Sequence, residues 1–340
     1  MKTRVSPLLA IALFVPIGFT SCVAPEAANV SPSAANGIKL TPLDDRVRVE
    51  IGGQLFTEYI FKGAQKPYLY PVIAADGTPL TRNYPMKPDV AGEAKDHPHH
   101  RSLWFTHGDV NGLDFWAESA GAKQGKIVSE KVVVVSDKIV AKNKWVGPDG
   151  TVHLTDTTTI RVSTAADGAR ILDYAVTLEA PADKPVVFGD TKEGSMAIRL
   201  PLWMTPPHSY SGADKKRVKH EGVGTIINDA GVTNTPTWGK KSAWVDYHAP
   251  KDGKVYGVAM FDNPSNPRYP TWWHVRDYAL FAANPFGKHD FENLKDQPKA
   301  GDLTIAAGKS VTFRWRFLFH MGDEKTAKIA ERFKDYAAGK

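Results

Sequence analysis

The sequence predicts an all-β, mainly antiparallel protein: a large two-sheet β-sandwich with a C-terminal helix. Apolar residues alternate with period two in segment after segment. The segments are joined by short turns rich in Gly, Asp and Pro, and helical periodicity is confined to the C-terminal end.

The elements follow in chain order. Val47, Val49 and Ile51 share one strand face, Gly52-Gly53 makes a hairpin turn, and Leu55-Phe56-Thr57-Glu58-Tyr59 runs back. Residues 127–135, 138–145, 152–162 and 169–179 form a meander through the turns Ser136-Asp137, Gly147-Pro148-Asp149-Gly150 and Ala166-Asp167-Gly168. Connections this short exclude a doubly wound parallel sheet, which needs helical crossovers. Strands resume at 243–247, 255–262, 278–283 and 311–319. In the last, Val311, Phe313, Trp315, Phe317 and Phe319 face one way, with Arg314 and Arg316 opposite. Residues 323–338 predict the helix, with Thr326, Ile329, Ala330, Phe333 and Ala337 as its apolar stripe.

Residues 1–21 read as a sorting signal. Lys2 and Arg4 precede an apolar run, Leu8 to Phe19, that is too short to span a bilayer as a helix. It ends in Phe19-Thr20-Ser21 before Cys22, the one cysteine of the chain, an arrangement similar to a bacterial lipobox. A lone thiol in an exported protein has no disulfide partner, which favours lipidation of Cys22. Residues 22–37, rich in Ala, Pro, Ser and Asn, read as a flexible tether, and 38–340 as a single β-sandwich domain. The expected location is the periplasm or the outer membrane, with membrane contact only through the N-terminal lipid anchor.

A net charge of +6 over 340 residues is modest and spread along the chain. No basic stripe with interleaved aromatics is present, which argues against a nucleic-acid partner. There is no Gly-rich nucleotide loop, no His-Glu-x-x-His, no Cys-based zinc site and no Gly-x-Ser-x-Gly elbow.

Three clusters carry the chemistry. The densest runs from Asp96 to Trp116 and holds His97, His99, His100 and His107, four of the eleven histidines. Imidazole exchanges protons near neutral pH and is the commonest metal ligand. In extended chain His97 and His99 share a face, as do His107 and Asp109, so either pair could chelate a metal or bracket a sugar hydroxyl. A second cluster, Phe188 to Arg199, offers Glu193 as a general base. In the third, Asp262 to Gly287, prolines stiffen a long loop ahead of Trp272, His274 and Arg276, which share a strand face. That trio suits a carbohydrate, especially one carrying a carboxylate or keto group.

Together these segments resemble a family of exported bacterial proteins labelled "methane oxygenase PmoA-like", over nearly the whole mature chain. The resemblance rests on His97-Pro98-His99-His100-Arg101, His107-Gly108-Asp109-Val110-Asn111-Gly112 and Asp114-Phe115-Trp116. It also rests on Phe188 to Gly194, Trp273 to Tyr278 and Asn284-Pro285-Phe286-Gly287. Ser102 and Ala279 stand where the pattern leads one to expect glycine. The resemblance implies a fold similar to the galactose-mutarotase supersandwich, in which sugars bind across one sheet lined by His, Arg, Trp and acidic residues. It brings no catalytic residues with it.

The leading expectation is a carbohydrate-active envelope enzyme working by His/carboxylate acid-base chemistry, with hydrolysis, elimination and epimerisation all open. His99, His107 or His274 would give the proton, and Glu193 or Asp109 would take it. Arg101 and Arg276 would anchor oxygens, Trp104 and Trp272 would stack on the ring, and His100, Tyr278 and Asn284 would complete the binding surface. One alternative is a metal-dependent oxygenase with a divalent ion on His97, His99, His107 and Asp109. The other is a non-catalytic glycan-binding lipoprotein.

Overall fold

The computed structural model describes residues 1, 37–118, 121–211 and 217–339. The expected signal, Cys22 and the tether up to residue 36 lie outside the described residues. From residue 37 onward these belong to one compact unit, Pro32–Lys340.

The chain first lays down β1 (Ile38–Pro42), β2 (Arg46–Ile51), β3 (Gln54–Ile60), β4 (Tyr68–Leu69) and β5 (Leu103–His107). Four long strands follow: β6 (Lys126–Val135), β7 (Lys138–Val146), β8 (Val152–Thr164) and β9 (Arg170–Glu179). After β10 (Val186–Phe188) come β11 (Gly194–Arg199), a hairpin of β12 (His208–Ser211) and β13 (Arg217–His220), and β14 (Thr225–Asn228). Next are β15 (Trp244–Lys251), β16 (Lys254–Asp262), β17 (Trp272–Val275), β18 (Leu280–Asn284) and the short α1 (Lys288–Phe291). β19 (Leu303–Ile305), β20 (Ser310–Met321) and α2 (Ile329–Ala337) close the chain.

These strands make the predicted sandwich. One eight-stranded sheet runs β1-β2-β3-β4-β5-β11-β18-β17 and the other β14-β15-β16-β20-β9-β8-β7-β6. Their inner faces enclose one large core, with Phe105, Met196, Trp273 and Phe281 from the first sheet and Trp145, Tyr174, Trp315 and Phe317 from the second. The alternation read along β20 holds: Phe313, Trp315, Phe317 and Phe319 are all buried in that core.

The closing helix is shorter than predicted. Asp323 accepts the Thr326 amide at 2.7 Å to make a separate turn, and Lys328 takes a left-handed φ of 53°. No regular helix passes through a left-handed residue, so α2 starts at Ile329. Ala327 and Ile329 pack with Phe261 and Leu318 on the outer face of the second sheet.

The outer face of the first sheet is also covered in part. Ile60, Tyr68, Trp104, Ala197, Leu280 and Ala282 form a second apolar cluster there, with Trp116 from the loop after β5. Parity places it: Trp104 points out where Phe105 points in, and Ala282 out where Phe281 points in.

Candidate functional site

Above that outer cluster lies a polar network centred on Asp96. Its Oδ1 accepts from Arg82 Nη1 at 2.5 Å and from Arg199 Nη2 at 3.0 Å, and its Oδ2 lies 2.7 Å from His97 Nδ1. Burial would raise this carboxyl, but the His97 hydrogen bond and the charges of Arg199 and Arg82 hold it well below the usual carboxylate range. A permanent carboxylate therefore fixes the orientation of the His97 ring, which is 41% exposed. Both arginines are buried and come from different parts of the chain: Arg199 from the end of β11, Arg82 from the loop between β4 and β5.

Rings stack on the same network. His97 lies parallel to His100 at 4.7 Å and to Tyr278 at 5.5 Å, and His100 stacks on Trp104 at 5.3 Å. His99 meets His100 and Trp116 edge-on. Arg199 sits 5.0 Å from the Tyr278 ring centre and Arg276 sits 5.2 Å from it, with Trp238 on the other flank of Arg276 at 5.9 Å. Burial raises the Tyr278 hydroxyl pKa, against the charges of Arg276 and Arg199 and with those of Glu193 and Asp96. Tyr278 is thus the residue on which all three sequence clusters meet.

A second ion network borders the first. Glu118 accepts from Arg101 and from Lys66, whose Nζ is 2.7 Å away and fully buried. Burial lowers the Lys66 ammonium to about 8 in spite of Glu118. Arg101 and Glu118 also line a surface depression of about 490 Å³ with Gly63, Ala64 and Gln65.

The expected residues divide into two groups. His97, His99, His100, Arg101, Glu193, His274, Arg276 and Tyr278 all belong to this outer face or the loops over it. His274 is almost fully buried; its Nδ1 donates to the Lys192 carbonyl at 2.6 Å, and among the described residues its Nε2 makes no hydrogen bond. Burial lowers both His99 and His274 to about 4, so at neutral pH neither is the charged proton donor expected of it.

His107 leaves the site. It is the neighbour of Thr106 on β5 and points the opposite way, into the sandwich between Phe188 and Phe286, with Nε2 2.7 Å from the Gly189 carbonyl oxygen. Asp109 closes a turn by accepting the Gly112 amide. The two stacking roles also shift. Trp104 is fully buried beneath His100, and Trp272 is buried beneath Lys241 with its Nε1 on Glu292. The partly exposed rings here include Tyr278 and Trp238. Asn284 is a fully buried brace, donating to the Thr191 carbonyl and accepting the Phe286 amide.

His97, His99, His107 and Asp109 do not assemble as a metal centre: the sheet separates His107 from His97 and His99, and Asp109 is turned onto the Gly112 amide. Among the described residues the one group of three side chains spaced to hold an ion is Asp246, His248 and Glu324, at the second sheet. Sequence reasoning missed Asp96, Arg82, Arg199, Lys66, Glu118 and Trp238. Asp96 and Arg199 were in view as the ends of the first two clusters.

The family described as a family of unknown function, DUF6807, matches residues 46–334. The PmoA-like label finds no support in that match, and no curated protein matches the chain in sequence. Among solved structures, a protein described as an aldose 1-epimerase from Escherichia coli K12 is 11% identical at a TM-score of 0.34, over 83% of this chain and 98% of its own. A galactose mutarotase related enzyme from Lactobacillus acidophilus is 11% identical at 0.29, over 83% and 97%. A polysaccharide lyase is 13% identical at 0.30, over 85% of this chain and 33% of its own. At these scores the site has to be read from its own residues.

Proposed function

The chain belongs to the DUF6807 family, and from that premise we propose that it is a carbohydrate-active enzyme whose site is the outer face of the first sheet, with His97 as its acid-base group. The observation that carries the reading is the Asp96–His97 pair. A carboxylate held by two buried arginines engages Nδ1 of His97 and leaves its Nε2 without a hydrogen bond among the described residues, on a ring that is 41% exposed. That is the arrangement a general acid-base histidine needs: a fixed tautomer, a fixed ring and an accessible nitrogen. Trp238 supplies a partly exposed ring for a sugar, and Glu193, 39% exposed, supplies a second carboxylate.

The test is turnover of a panel of mono- and oligosaccharides followed by NMR, which distinguishes cleavage, elimination and epimerisation. We expect His97→Gln and Asp96→Asn to lower kcat by about a hundred-fold or more while leaving sugar binding measurable. Full turnover in His97→Gln removes the assignment; saturable binding with no product from the wild type makes the protein a glycan-binding one.

We further propose that the protein acts outside the cytoplasm, anchored through Cys22. No helix among the described residues is long and apolar enough to cross a membrane, and the Leu8 to Phe19 run before the lone cysteine has the pattern of a lipoprotein signal. Metabolic labelling with a palmitate analogue should mark the wild type and not Cys22→Ala; an unlabelled wild type rejects the anchor.

A further inference from the structure

We propose that the site takes an acidic sugar, with Arg276 as the binding residue for its carboxylate. The inference rests on the carbohydrate reading above and names the substrate class.

It starts from how the cations of this face are matched. Arg82 and Arg199 share Asp96, and Arg101 and Lys66 share Glu118. Arg276 has no such partner. Its guanidinium makes no hydrogen bond or ion pair among the described residues and is held only by the rings of Tyr278 and Trp238. The acids near it in the chain or the fold are engaged elsewhere. Asp277 accepts from the Thr235 hydroxyl at 3.3 Å, and Glu193 lies 3.5 Å from the Lys192 ammonium.

A half-buried cation without an anion carries an uncompensated desolvation cost. Here that cost falls at the mouth of the proposed site. Arg199 deepens the imbalance, because it faces the same Tyr278 ring and its buried Nε has no partner among the described residues. Two guanidinium groups around one phenol ring, with one carboxylate shared between Arg199 and Arg82, leave positive potential beside His97. A sugar carboxylate would pair bidentately with the free fork of Arg276, while its ring lay beside Trp238.

The experiment measures binding of D-glucuronate, D-galacturonate and their disaccharides to the full chain by titration calorimetry. D-glucose, D-galactose and a sulfated galactose run beside them. We expect the uronates to bind at least about ten-fold tighter than the neutral sugars and to weaken as salt rises. Arg276→Gln should abolish that preference with the melting temperature unchanged, and Arg276→Lys should restore part of it. Equal affinity for neutral and acidic sugars overturns the proposal and leaves the carbohydrate reading standing. Tighter binding of the sulfated sugar than of the uronates overturns the carboxylate assignment. Absence of binding by every sugar overturns both.

Discussion

Arg199 donates from its guanidinium to Nδ1 of His100 at 2.8 Å, and this contact fixes the tautomer of His100. Arginine has only donors to offer, so Nδ1 must accept and the ring keeps its proton on Nε2. Burial first, and then the Arg199 charge, hold His100 well below the usual histidine range.

The same holds for three more imidazoles and predicts the acid side of the stability curve. Burial is the first cause that lowers His99, His107 and His274, each to about 4. Unfolded, they titrate near 6.5. Between those values the unfolded chain binds more protons than the folded one, so stability falls as pH drops from about 6.5 to 4. Urea unfolding at pH 7 and pH 5 should differ by about 2 kcal/mol for each fully buried imidazole. His107→Gln and His274→Gln should each flatten the dependence; a slope identical to wild type in both would refute the cause given.

His107 separates fold from site. It is wholly buried and bonded to the Gly189 carbonyl, with a ring contact to Phe286 at 4.6 Å. His107→Ala should cost about 2–4 kcal/mol by leaving a cavity and an unmatched carbonyl. The folded fraction should still bind sugar with wild-type affinity. Lost affinity at unchanged stability would put His107 back in the site.

Ser102 and Ala279, where the motif pattern called for glycine, adopt φ of 58° and 75°. They flank Arg199: the Ser102 carbonyl accepts the Arg199 amide, and the Ala279 carbonyl accepts that of Leu200. A side chain in this conformation costs about 1–2 kcal/mol. Ser102→Gly should raise stability by about 1 kcal/mol, since it also removes a buried hydroxyl that has no partner among the described residues. Ala279→Gly should gain less, because it exchanges strain for a lost buried methyl. A lower urea midpoint in Ser102→Gly would show that the Cβ contributes more by packing than it costs in strain.

These cases show where the sequence was legible. The meander and the first half of β20 were, because one face is wetter there and the alternation survives. β5 was not: all five of its residues are buried, so nothing in Leu103–His107 says which side is core. Strand parity misled at His97 for another reason. His97 itself has a φ of 44°, so the segment is a turn, and His97 stacks on His100 where extended chain would pair it with His99. Asp96 and Arg199 were visible as residues, but their pairing spans the chain from one loop to a different strand. No local spacing encodes it.

The second sheet holds the sharpest test of buried charge. Asp246 is fully buried, yet its Oδ2 is 2.7 Å from His248 Nδ1 and its Oδ1 is 2.8 Å from His320 Nε2. Burial raises this carboxyl, but the charge of His320 and the hydrogen bonds from both rings hold it low. Burial in turn lowers His248, and the hydrogen bond and charge of Asp246, joined by Glu324, raise it above its ordinary value. A histidine raised on folding stabilises fully below about 6.5 and loses that contribution as pH climbs through its folded pKa, opposite in sign to the four imidazoles above. Gly257 makes room for the pair, since a Cβ there would come within 2.1 Å of the His320 ring. Asp246→Asn should therefore cost about 3–5 kcal/mol at pH 6 and less at pH 9, because the charge on His248 is lost as pH climbs. An equal loss at the two pH values would mean that shape, and not the charge on His248, is what Asp246 supports.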